Sequence, residues 1–206
     1  MMKTNSEALY ETWDKRWEGS EEAERLTFIG RIMFKAKKRI LSGIIKELPI
    51  ETVIEVGCGL GLTMEVFKER DLNCVGVDVS HHAVSVCRKK GLNATFKKVE
   101  DITEKYDLVS SDGMLEHFLN FEPYAQHLMR ISSKYVLLIQ PNHDSFSGKT
   151  FAYLAELFRG SENVFEYNYR IKDFITVFNS NGFSIIQNYP IFCDVFRLLL
   201  FKKSSK

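Results

Sequence analysis

Apolar side chains at Leu26, Ile29, Met33, Ala36, Ile40, Ile44 and Leu48 recur at steps of three and four, which predicts an amphipathic helix over 21–48, stopped by Pro49. The period then changes. Short apolar runs at 52–56, 73–77, 94–99, 106–110 and 135–140 read as buried strands, with helix-compatible stretches at 62–70, 81–90 and 121–132 between them. Gly91 closes the second of these helices, and Lys97 and Lys98 put the third strand near a sheet edge. Pro141 ends the fifth run. Beyond it, 171–180 reads as a helix ending near Gly182, and 183–189 and 192–201 as two strands whose short link requires an antiparallel pair.

Strands that alternate with helices form a parallel sheet covered on both faces. The predicted fold is therefore α/β: a doubly wound, mostly parallel seven-stranded sheet with an antiparallel last strand. Right-handed crossovers bring the loops after the strands to one edge, where ligands bind. Glu55 to Gly57, Asp78, Asp101 and Ser111-Asp112 all fall at such strand ends. The chain reads as one domain, 1–206, with an N-terminal helical segment 1–48 and a lid-like insertion 143–169.

Composition narrows the function classes. The chain is 45% hydrophobic and 27% charged with a formal net charge of +1, so bulk electrostatics suggest no nucleic-acid partner. Cys58, Cys74, Cys87 and Cys193 form no C-x-x-C pair and have no histidine at ligand spacing, which fits a reduced cytoplasmic setting without a metal. No signal peptide is visible, and no apolar run approaches a membrane span. The terminal run Leu198 to Phe201 before Lys202 reads as a buried last strand rather than a membrane-surface tail.

The chemistry concentrates in Val53 to Gly61, where a β-branched run stops at Gly57, Gly59 and Gly61. A loop of this kind lets a ligand approach the backbone, and the helix that follows offers free N–H groups to an anion, phosphate or carboxylate. A dinucleotide fingerprint, G-x-G-x-x-G, would need glycine at Leu62, so the spacing disfavours an NAD-dependent reductase. Asp78, at the tip of the second strand, is placed to accept hydrogen bonds from two ribose hydroxyls. Its competing reading is a turn residue, but Ser80 is the better N-cap for the next helix. Cys58 suits a tight turn better than the role of a nucleophile.

These residues resemble the class I S-adenosylmethionine-dependent methyltransferases, and more narrowly the small-molecule group that includes the ubiquinone and menaquinone biosynthesis enzymes. Val53 to Gly61 resembles the family's first motif and Val75 to Ser80 its acidic second-strand motif. Tyr106 to Val109 through Leu115-Glu116-His117 resembles the fourth-strand motif, and Val136 to Asn142 the fifth-strand region. The resemblance implies a Rossmann-like methyltransferase fold with S-adenosylmethionine as cofactor. It implies that Gly57, Gly59 and Gly61 let the backbone approach the methionine part, with Cys58 also among the cofactor-binding residues, and that Glu55 orients the amino group. Asp78 would hold the ribose, Val79 would pack on the adenine, and Asp101 and Ile102 would meet the adenine from the third strand. Ser111 would offer its carbonyl to the cofactor's ammonium. Gly113 departs from the acidic residue common in quinone-type relatives, so their acceptor chemistry does not transfer.

Methyl transfer from a sulfonium chiefly requires alignment, and a base helps when the acceptor carries a proton. His117 is the candidate base, against an equal reading as a structural histidine. His143 is weaker, and His81 and His82 read as a solvated first turn. The expected function is methylation of a small-molecule acceptor, by a protein not inserted in a membrane. The alternative is a non-catalytic S-adenosylmethionine-binding sensor or scaffold. Residues 143–169, rich in aromatics, and the segment carrying Tyr10, Trp13 and Trp17 are expected to cover the acceptor side, the two tryptophans sharing one helix face.

Overall fold

A computed structural model of the chain describes residues 5–18, 28–159 and 166–204. Among the described residues, the helices α1 (Asn5–Glu18) and α2 (Phe28–Glu47) precede β1 (Thr52–Val56), α3 (Leu62–Lys68), β2 (Asn73–Asp78), α4 (His81–Lys89) and β3 (Asn93–Phe96). Then come β4 (Tyr106–Asp112), α5 (Glu122–Ile131), β5 (Ser132–Pro141), α6 (Phe146–Arg159), α7 (Ile171–Ser180), β6 (Phe183–Ile191) and β7 (Phe196–Lys203). The start of the helix expected over 21–48 lies outside the described residues up to position 27.

The seven strands form one sheet in the order β3-β2-β1-β4-β5-β7-β6. Every neighbouring pair is parallel except those involving β7, which runs against both β5 and β6. Chain order reverses between β1 and β4, the switch point at which an open α/β sheet leaves a crevice beyond its strand ends.

Strand alternation sorts the core into two faces. Ile54, Val56, Val109, Val136 and Leu138 point toward α5 and α7, where they meet Leu128, Phe174 and Phe178. Val53, Leu108, Leu137 and Ile139 point the other way, toward Leu41 and Ile44 of α2 and Phe67 of α3. Leu198 to Phe201 are fully buried because β7 lies inside the sheet. Among the described residues no helix is long and apolar enough to cross a membrane.

Among the boundaries that differ from the sequence reading, two are set by turns. The third strand ends at Phe96 rather than 99, and the chain turns through a short 3-10 segment, Val99–Asp101. That turn buries Val99 and Ile102 and leaves Asp101 outside. The last strand begins at Phe196 rather than 192, because Phe192, Cys193 and Asp194 take φ of 47°, 54° and 69° in a tight left-handed turn. Three consecutive non-glycine residues in that region are not legible from hydropathy.

Candidate functional site

The β1–α3 turn is built from backbone. Gly57 and Cys58 both donate to the Val77 carbonyl, at 2.9 and 3.0 Å, which ties the turn to the end of β2. Gly59 and Gly61 take φ of 48° and 82°, and Gly61 leads directly into the first turn of α3. A Cβ at Gly59 would stand 2.9 Å from the Trp17 ring, so α1 lies directly on the glycine turn. The thiol of Cys58 is raised well above its usual range by its hydrogen bond with Cys87 and by burial, which suits packing and not nucleophilic attack.

Asp78 is buried, and its carboxylate holds the turn together. Oδ2 accepts the Gly59 N–H at 2.8 Å and Oδ1 accepts the Ser80 N–H at 2.9 Å. Burial raises its pKa, opposed by those N–H groups. Ser80 does cap α4, accepting from the Ala83 N–H at 3.1 Å, but Asp78 is engaged as well. Each of its oxygens keeps a further lone pair for a ligand.

A cleft of about 270 Å³ opens beyond these strand ends. Gly57, Cys58, Gly59, Asp78 and Val79 line one side, with Lys97 and Val99 beside them. Asp112, Met114, Glu116, His117 and Glu166 line the other, and Tyr10, Trp13, Arg16 and Trp17 of α1 cover it. Trp13 and Trp17 share a face, with ring centroids 5.9 Å apart. Asp14 anchors the helix, accepting from Ser80 Oγ at 2.7 Å and the His82 N–H at 3.1 Å.

Glu55 also lines the cleft, 1% exposed, and neither carboxyl oxygen has a hydrogen-bond partner among the described residues. Burial, and then the charge of Asp112, push its pKa up to about 8. Lys37 reaches across from α2 to Asp112 at 2.5 Å, and Thr63 donates to the same oxygen at 2.8 Å. The sequence reading missed Lys37. Its signal was present: it stands four residues after Met33 and four before the buried Leu41, so a lysine falls on the helix's inward row.

Two candidates stand elsewhere. Asp101 is exposed on the 3-10 turn and Ile102 is 1% exposed in the core, so neither lines the cleft, and the third strand contributes Lys97 and Val99 instead. Ser111 is fully buried with its hydroxyl donating to the Val56 carbonyl at 3.0 Å; Asp112, one residue on, faces the cleft. His117 does line the cleft, its ring edge-on to Trp13 at 4.7 Å. His81 stacks on Phe96 at 3.8 Å, away from the cleft lining.

From the insertion 143–169, Glu166 is the one described residue that lines the cleft. The start of α6 is fixed to the β6–β7 turn by Ser145 Oγ and Ser147 Oγ, which donate to the Asp194 and Cys193 carbonyls at 2.7 and 2.5 Å. Phe165 lies outside the described residues, as do the side chains of Leu154, Leu157 and Phe158.

The strand order with a reversed β7 and the glycine-floored cleft define the Rossmann-like class of S-adenosylmethionine-dependent methyltransferases. Residues 25–188 match the family described as a methyltransferase domain, and the chain belongs to that family. A ubiquinone biosynthesis O-methyltransferase from Nitrosomonas europaea is 31% identical over 111 residues, which take in 49% of this chain and 46% of that protein. The chain thus matches less than half the length of the curated relatives it resembles, 46% and 34%. Magnesium protoporphyrin IX methyltransferase from Synechocystis PCC 6803, solved with bound S-adenosylmethionine, superposes with a TM-score of 0.73 at 15% identity, covering 98% of this chain and 99% of that one. A Burkholderia thailandensis 1,6-didemethyltoxoflavin N1-methyltransferase superposes with a TM-score of 0.71 at 11% identity, covering 100% of this chain and 93% of that one.

Proposed function

We propose that this chain is a methyltransferase that uses S-adenosylmethionine to methylate a small-molecule acceptor. The observation that carries the reading is the convergence of Gly57, Gly59 and Asp78 with an unpartnered, buried Glu55 on one cleft. A glycine floor admits a ligand's backbone-like part, and an orphaned buried carboxyl suits a cationic group brought by that ligand.

The cofactor supplies an electrophilic methyl group on a sulfonium. Asp78 accepts from the ribose hydroxyls with the lone pairs left free by the Gly59 and Ser80 N–H groups. Lys37 would meet the cofactor's carboxylate and Glu55 its ammonium, and Val79 and Val99 would flank the base; all four line the cleft. Helix α1 lies over the cleft, with the Trp17 ring against Gly59, and would exclude water from it as its cover. Alignment of the acceptor inside such a pocket accounts for about 7–11 kcal/mol of barrier lowering. A cleft-facing base, with His117 the first candidate, adds a factor of about 10²–10⁴ for acceptors that lose a proton.

Calorimetry with S-adenosylmethionine, S-adenosylhomocysteine and NAD tests the reading. Heat with both sulfur ligands and none with NAD is the expected result. A folded protein that gives no heat with either sulfur ligand overturns it. Turnover with a panel of acceptors separates the enzyme from a non-catalytic binding protein.

A further inference from the structure

Helix α1 bridges the two sides of the cleft. The Trp17 ring lies against Gly59, 2.9 Å from where a Cβ at that position would be, and Trp13 meets His117 edge-on at 4.7 Å. At the start of the helix the Tyr10 hydroxyl donates to Glu100 at 3.2 Å. Gly59 belongs to the glycine floor that the proposed function sets against the cofactor, so the indole and the cofactor share that surface. The cleft beneath the helix measures about 270 Å³, below the about 300–1,000 Å³ of ordinary small-molecule sites. A ligand of cofactor size therefore enters and leaves as α1 lifts.

Asp14, on the same helix, joins the cover to the cofactor edge. Ser80 Oγ donates to Asp14 Oδ1 at 2.7 Å, and the His82 N–H donates to the same oxygen at 3.1 Å. Ser80 caps α4, its Oγ accepting from the Ala83 N–H, and its own N–H donates to Asp78 at 2.9 Å. Asp78 in turn accepts from the Gly59 N–H at 2.8 Å. A continuous chain of hydrogen bonds thus runs from the cover through Ser80 and Asp78 to the glycine turn. The Ser80 hydroxyl holds the Asp14 carboxyl below its usual pKa, against the opposing effect of burial. The start of α4 favours the same negative charge, and a charged acceptor makes these bonds stronger than neutral ones.

We propose that Asp14 is a positioning residue that latches α1 over the cofactor site through Ser80, so that cofactor exchange requires this latch to open. The inference rests on the methyl-transfer reading above and assigns that same site its gate. The latch joins one protein group to another, so it holds α1 with or without the cofactor, and its loss eases opening in both states. Association and dissociation then speed up together while the affinity moves little. A residue that supported only the bound ligand would change the dissociation rate and the affinity in step.

Trp13 and Trp17 are the chain's two tryptophans, so indole emission reads α1 directly. Stopped-flow fluorescence of the full chain with S-adenosylhomocysteine gives both rate constants, and calorimetry gives the affinity. Asp14→Ala should raise both rate constants by about tenfold while changing the dissociation constant by less than about threefold. Asp14→Asn keeps an oxygen that accepts from Ser80 and His82 and should stay within about threefold of the unaltered chain in both rates. Unchanged rates in Asp14→Ala overturn the proposal, and so does faster dissociation matched by an equal loss of affinity. An asparagine variant as fast as the alanine variant overturns the role of Oδ1 as the latch. An unaltered chain that is folded and gives no heat with S-adenosylhomocysteine refutes the methyl-transfer reading itself, and the latch with it.

Discussion

Asp78→Ala separates the two roles that the carboxylate performs. In the ligand-free protein it accepts the Gly59 N–H at 2.8 Å and the Ser80 N–H at 2.9 Å, both in buried surroundings. Removing it leaves two buried donors without an acceptor, at about 1–3 kcal/mol each, so the variant should lose about 2–6 kcal/mol of stability. For a chain of this size each kcal/mol moves the melting temperature by about 2–4 °C, which predicts a fall of at least about 4 °C without cofactor. Sequence alone suggests no fall, because it leaves Asp78 free. Asp78→Asn keeps one oxygen to accept an N–H and should lose less. If Asp78 also holds the ribose, both variants bind S-adenosylhomocysteine at least about tenfold more weakly. Differential scanning calorimetry and titration calorimetry read the two effects independently. An unchanged melting temperature in the alanine variant refutes the role in holding the turn, and an unchanged dissociation constant in both variants refutes the role in ribose binding.

Other outcomes follow from the same geometry. Glu55, raised from 4.5 to about 8, binds a proton in the folded chain that the unfolded chain has lost, so its contribution to stability is complete below pH 4.5 and falls away as pH rises to about 8. Glu55→Gln should flatten that part of the stability–pH curve, and an equal slope in both proteins would show that Glu55 is not the group responsible. At pH 7 the cofactor's ammonium should ionise Glu55, so calorimetry in buffers of different ionisation enthalpy should detect proton release that the glutamine variant lacks. Lys37→Met should weaken S-adenosylhomocysteine binding by about tenfold, whereas Asp101→Ala should change it little; the reverse order would overturn the placing of these two residues relative to the cofactor. Hydrogen exchange over residues 10–17 should slow on adding S-adenosylhomocysteine, and identical rates would mean that α1 is no cover.

Much of the framework was legible because it depends on local pattern. Five alternating runs, a glycine turn and an acid at a strand tip specify a sheet edge and a crevice without any knowledge of packing. What escaped depends on how the chain turns in three dimensions. Asp101 and Val99 are two residues apart, and only the 3-10 turn decides that Val99 faces the cleft and Asp101 the solvent. Ser111 and Asp112 are separated by a single step of strand alternation, which sends one hydroxyl under the sheet and the next carboxylate into the site. Glu116 enters the sequence reading only within the Leu115-Glu116-His117 motif, and its burial is something no pattern records.

The position of Lys37 shows how the N-terminal helices complete a site that the sheet only begins. Asp112 and Glu55 lie on the same sheet face, toward α2, and two acids this close would repel each other if nothing opposed them. Lys37 supplies the opposing charge at 2.5 Å from Asp112, and Thr63 fixes the same oxygen from α3. One carboxylate is thereby neutralised, while Glu55 has no hydrogen-bond partner among the described residues and burial pushes its pKa up to about 8. A ligand that brings both a carboxylate and an ammonium can exchange with this arrangement, since Lys37 is a cation and Glu55 a carboxyl that an incoming ammonium can ionise, and both line the cleft. The zwitterionic end of an amino-acid cofactor has that form, which is why the cleft suits a methionine moiety better than a phosphate.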